Sequence, residues 1–256
     1  MIPAIFALLS FTLGDGHYKN GFFEHDDPIK IIETHVVEED WKKEAVELTK
    51  AHIKEMHHLK HEGSHLYHNL IKASKSRDTQ FIIVDSLIHQ IVEIEHKQND
   101  NWIDARYSLS KKMGSDEFYD IMESAKTLDK IKSENEQAAN SSKDNRNLYF
   151  TTIESAINES IENPTKKDKI NIELFKFKSL VMTSLDSLDK VKYFEDPRLD
   201  NHHASRKELT YFSNHIIDID KEVLEEYLDF YKFLAGACSS DEWKHIEKVM
   251  HKTFHK

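Results

Sequence analysis

Residues 45–73 read AVELTKAHIKEMHHLKHEGSHLYHNLIKA. Along them Ala45, Leu48, His52, Met56, Leu59, Gly63, Leu66, Leu70 and Ala73 succeed one another at spacings of three and four. A period of about 3.6 residues gathers these positions on one side of a helix, a seam roughly four heptads long. His57, His61, His65 and His68 fall within about 80° of one another on the opposite side, at 100° per residue. The stretch therefore predicts a long amphipathic helix with an apolar face turned inward and an imidazole stripe turned out. His52 sits on the seam itself and is expected in the core.

A second seam follows the turn SKSRD at 74–78: Val84, Leu87, Ile91, Ile94, Gln98, Trp102, Ala105 and Leu109. It ends at Met113 and Gly114, after which Ser115, Asp116 and Glu117 read as a capped helix start carrying acids in its first turn. A third helix is expected from there to about Glu136. The polar run NSSKDNRN at 140–147 is the best internal boundary. Beyond it the spacing predicts helices near 148–161, 167–194 and 203–237, then a short one opening at Ser240. No run alternates with period two. The expected fold is all-α, an elongated antiparallel helical bundle, with a leader over 1–35 and helical units over 36–140 and 145–256.

Composition agrees with that reading. Of 256 residues only 6 are Gly and 4 Pro, too few to punctuate a turn-rich β-sandwich or barrel. No GxGxxG or GxxxxGK[ST] stretch is present, so a glycine-cradled nucleotide site is not expected. The single cysteine, Cys238, excludes an internal disulfide framework and a thiolate-rich metal site. The chain carries 35 Lys and Arg against 46 Asp and Glu, a net charge of −11 that disfavours nucleic acid as a partner. Its 17 histidines could carry the net charge from −11 to +6 if all were protonated. Histidine is the side chain whose ordinary pKa lies closest to neutrality.

Residues 2–13 (IPAIFALLSFTL) form an apolar run too short to span a bilayer. It suits the core of a signal peptide, with Thr12-Leu13-Gly14 as a small-x-small cleavage pattern, although no Lys or Arg precedes it. Export to a periplasmic or secreted location is one expectation. A cytoplasmic protein whose apolar run docks on the body is the other. No other stretch is apolar enough to cross a membrane.

An offset of 125 residues aligns 89–126 with 214–251 without gaps. Eight of these 38 positions are identical, among them Ile91/Ile216, Ile94/Ile219, Asp104/Asp229 and Leu109/Leu234. The Ser-Asp-Glu-aromatic helix start recurs at 115–118 and 240–243. The pattern predicts two repeated units, each of two long helices and a short capped one, packed as a single-chain pseudo-dimer.

The chemistry-bearing groups are histidines and carboxylates. His57/His61 and His61/His65 have the i, i+4 spacing that lets two imidazoles share a metal ion, and Glu247, His251 and His255 repeat it on the last helix. The candidate metal residues are thus His57, His61, His65, His68, His251 and His255, and the ion a divalent transition metal such as Zn, Cu or Ni. A ferritin-like carboxylate/His centre would need inward Glu-x-x-His motifs. Glu55/His58, Glu62/His65 and Glu93/His96 have the spacing but fall off the apolar sectors. Glu95 falls inside its sector, as does its offset counterpart Asp220. A buried acid there must find a partner or hold its proton. No nucleophile–base arrangement has a local signature, and Cys238 reads as a small packed residue.

The helix starts at 115 and 240 resemble the Leu-Thr-x-x-Gln starts of the Spy and CpxP family of exported, all-helical stress and metal-response proteins. The resemblance covers 115–126 and 240–251, lacks the family's Thr and Gln, and carries no site residues across. It implies an envelope chaperone, adaptor or metal sensor. The expected function is a non-enzymatic binding protein with a protein partner or self-association, responsive to metal or pH through its histidines. A ferritin-like metalloprotein or an intracellular helical scaffold are the alternatives.

Overall fold

The computed structural model of the chain describes residues 28–124, 142–190 and 201–254. Among these residues there are eight helices and no strand. In chain order they are α1 (Pro28–His35), α2 (Glu39–Ser74), α3 (Phe81–Lys112), α4 (helical over 115–124), α5 (Ser142–Ser160), α6 (Pro164–Lys190), α7 (Arg206–Ala237) and α8 (Ser240–Phe254). α2 packs along α3, α3 along α7, and α7 along α6, while α5 packs on α8. Ala45, His52, Met56, Leu59, Gly63 and Leu70 of the first seam are buried, and so is Trp41 one turn before it. Burial of a Leu, Met or Val side chain is worth about 1.5–3 kcal/mol, so the seam is what holds so long a helix to its neighbour.

Three local readings change. α1 lies within the stretch read as a leader, yet its Ile31 and Ile32 are buried in the core. A helix of 8 residues is stabilised by that docking rather than by its own propensity. α5 begins inside the polar run at 140–147. Finally, the caps before α4 and α8 sit one residue earlier than Ser115 and Ser240. Glu242 N–H donates to Ser239 Oγ at 3.3 Å while Ser239 N–H donates to Glu242 Oε2 at 2.6 Å. Gly114 N–H likewise donates to Glu117 Oε2 at 3.3 Å. The glutamate three residues after the cap, the reciprocal half of a capping box, fixes the register. The same box, Ser205 with Glu208, opens α7.

Element bounds recur along the chain. Helices open at 39 and 164, at 81 and 206, and at 115 and 240. They close at 35 and 160, and at 112 and 237. Each pair is 125 residues apart. Every buried position of α3, from Val84 to Ser110, has a buried counterpart at that offset in α7, from Leu209 to Ala235. Each half opens with a helix packed ahead of its first long helix, so four helices rather than three fall in each.

α3 and α7 divide between two cores. Val84, Ile88 and Ile91 from the start of α3 belong to the cluster around Phe177, Tyr227 and Leu234. Leu209, Phe212, Ile216 and Ile219 from the start of α7 belong to the cluster around Trp102, Ile103 and Leu109. The two helices thus run in opposite directions, each lending its first half to the other's core. Polar contacts repeat the exchange. Arg106 Nη2 donates to the Asn201 carbonyl at 3.0 Å, and Tyr231 Oη donates to the Ser76 carbonyl at 2.7 Å. Positions 106 and 231, and 76 and 201, are again 125 apart. Arg77 reaches the end of α7 through the Ala235 carbonyl at 3.0 Å, as His202 reaches the end of α3 through the Met113 carbonyl at 2.9 Å. Reciprocal pairing of this kind is how a two-fold interface is built.

Candidate functional site

The histidine stripe lies where the helical period puts it. His57, His61, His65 and His68 are all exposed on α2, on the face away from α3. The His61 and His65 rings stand edge to face with centroids 4.5 Å apart. His58 Nε2 lies 3.9 Å from Glu62 Oε1 on the same face. One helix thus brings the His61 and His65 rings into contact. His251 belongs to α8, and His255 lies outside the described residues. Among the described residues no three His, Cys, Asp or Glu side chains converge as a metal cluster. A metal on the stripe would take two imidazoles and complete its shell with water or with ligands from another molecule. Two ligands hold a borderline ion loosely.

The Glu-x-x-His pairs do not face the core. Glu55, Glu62 and Glu93 are exposed, and Glu93 Oε1 pairs with Lys97 Nζ at 2.8 Å. The buried chemistry lies instead on the seams. Glu95 is 4% exposed and Asp220 0%, each midway along its 32-residue helix, where α3 and α7 pass from one core to the other. Tyr67 Oη donates to Glu95 Oε1 at 3.1 Å, while Glu95 Oε2 has no hydrogen-bond partner among the described residues. Burial pushes the Glu95 carboxyl up to about 8, against the smaller opposing effect of the Tyr67 bond. At neutral pH the side chain holds its proton. His52 is buried beside Asn101, whose Nδ2 donates to the His52 carbonyl at 3.3 Å. Burial lowers the His52 imidazole to about 4, so it is neutral, a packing group rather than a ligand.

The halves differ at matched positions. Phe177 stands 125 residues from His52 and is 0% exposed. It stacks on Phe230 at 5.4 Å and meets Phe150 edge-on at 5.8 Å. Trp243 stands opposite Tyr231 at 5.7 Å, as Phe118 takes the Arg106 guanidinium at 5.0 Å. Cys238, the counterpart of Met113, is buried, and burial raises its thiol to about 11, which keeps it protonated and inert.

Sequence reasoning missed a groove in the C-terminal half, a cavity of about 600 Å³ between the start of α6 and the end of α7. No pattern at 163–169 announces it. The available signal was a difference: the apolar and basic residues that fill the matching place in the other half, Trp41 and Lys112, are Lys166 and Ala237 here.

Among the described residues no helix is long and apolar enough to cross a membrane. The apolar run at 2–13 lies outside them. Comparison with protein-family models, with curated proteins and with solved structures finds no match to the chain.

Proposed function

We propose that the chain is a non-enzymatic helical binding protein, duplicated internally, which uses the histidine face of α2 to engage a divalent transition metal such as Zn, Cu or Ni. The observation that carries the reading is the exposed His61–His65 pair at 4.5 Å, on a helix whose other face is committed to the core. Recurring bounds at an offset of 125 and the exchanged Arg106–Asn201 and Tyr231–Ser76 bonds support the duplication. At offset 125 the stripe positions 57, 61, 65 and 68 become Met182, Asp186, Lys190 and Tyr193. The imidazoles are therefore a property of one half alone, as expected of a copy adapted to a task.

Imidazole binds metal only when deprotonated, so protons and metal compete for the stripe. The missing ligands come from a protein partner or a second copy, which makes the ion a bridge. An exported protein would meet free divalent ions outside the cytoplasm, and the apolar run at 2–13 favours that location.

Calorimetric titration of the whole protein with Zn²⁺, Cu²⁺ and Ni²⁺ tests the reading. Loose binding is expected, lost when His57, His61 and His65 are replaced by Gln together. These residues are exposed, so the triple variant keeps its thermal stability. No binding, or binding that survives the triple replacement, overturns the assignment. The mass of the mature chain tests export separately.

A further inference from the structure

We propose that the groove between α6 and α7 binds a small organic anion, a carboxylate or phosphate carried on an apolar group. A cavity of about 600 Å³ falls in the size range of small-molecule sites. Lys166, Lys169 and Lys232 line it, together with Asn163, and no carboxylate does. Its apolar wall is Phe233, a large hydrophobic side chain 36% exposed, with Gly236 and Ala237 beside it. Lys166 is held by Glu242, and Lys232 Nζ lies 3.5 Å from Asp229 Oδ1. Lys169 pairs with no described carboxylate, which leaves one ammonium uncompensated at the groove.

The matching place in the N-terminal half shows why this groove is open. There Trp41 is buried, with the Lys112 ammonium 5.0 Å from its ring and paired to Glu44. At offset 125 Trp41 becomes Lys166, Lys111 becomes Gly236 and Lys112 becomes Ala237. Loss of the indole and of two long side chains empties the space. The charge inverts along with the shape: Glu38, Asp40 and Glu44 become Asn163, Thr165 and Lys169. An emptied cavity would pack more stably if filled. One that has exchanged three acids for a lysine and two neutral residues is suited instead to a negatively charged occupant with an apolar flank.

The test is ligand binding by calorimetry to the full chain, with phenyl phosphate and benzoate as anionic probes, benzyl alcohol as the neutral probe and inorganic phosphate as the bare ion. Phenyl phosphate or benzoate is expected to bind in the millimolar range or tighter, inorganic phosphate more weakly and benzyl alcohol not at all. The double variant Lys169→Gln/Lys232→Gln should weaken the anionic probes by about tenfold or more. Gly236→Phe provides an independent test, because a Cβ at Gly236 meets nothing within 4 Å. It fills the groove while keeping every charge, and should abolish binding with the thermal midpoint unchanged or raised. Benzyl alcohol binding as well as the anions, unchanged binding in Gly236→Phe, or no binding of any anionic probe would overturn the proposal. These variants leave α2 untouched, so the outcome is separable from metal binding at the histidines.

Discussion

At position 52 the N-terminal half carries a histidine, and 125 residues later the C-terminal half carries Phe177. Both are buried at the same place on the first long helix of their half. Around Phe177 the core is aromatic, with Phe150, Tyr227, Phe230 and Tyr231 in ring contact. In the N-terminal half Thr49, Asn99 and Arg106 are buried polar residues as well, and the core there combines Trp41, Trp102 and Phe118 with Met56 and Leu109. The same helical frame thus supports a stacked aromatic cluster at one position and a buried, neutral imidazole at its counterpart.

Three substitutions test that contrast, from the largest effect to the smallest. Phe177→Ala removes the ring that three others touch and should cost about 3–5 kcal/mol, read from chemical denaturation. A loss no larger than that of a surface change would break the comparison.

Glu95→Gln comes next. The folded carboxyl titrates at about 8 and the unfolded one near 4.5, so the stability it permits is fully present below about 4.5. It is lost as the pH rises through about 8. Between those two values the loss accumulates to several kcal/mol, on the order of 1.4 kcal/mol for each step of one in pH. Glu95→Gln should flatten that decline and leave the variant more stable than the parent at pH 8. Parallel stability curves for the two proteins would show that the carboxyl is ionised in the folded state after all.

His52→Phe, which copies the other half, acts on the opposite limb. The imidazole falls from an ordinary 6.5 to about 4, so its contribution is present above about 6.5 and fades as the pH falls through about 4. The variant should resist acid better than the parent, by about 3 kcal/mol near pH 4. Near pH 7 it should differ little.

The seams were legible because a helix half-buried along its length must repeat apolar residues at 3.6, and the stripe of His57, His61, His65 and His68 was legible as its complement. The inward positions of Glu95 and His52 followed from the same periodicity. The offset of 125 showed in 89–126 and 214–251, where α3 and α7 share a buried face. What stayed hidden depended on tertiary context. α1 follows a glycine-rich stretch and is too short to carry a clear period, so Ile31 and Ile32 looked like part of a leader. The bonds from Arg106 and Tyr231 end on backbone carbonyls, which leave no mark in the sequence. The groove exists through what Lys166, Gly236 and Ala237 fail to fill, and such an absence is visible only against the other half.

The exchange of helix ends bears on how the chain is made. Beside Leu70 of α2, Val84, Ile88 and Ile91 pack in a cluster drawn mostly from residues 150 to 246. At synthesis rates of 5–20 residues per second, that apolar face waits on the order of ten seconds before its partners leave the ribosome. Throughout that interval the nascent first half keeps part of its apolar surface exposed to water.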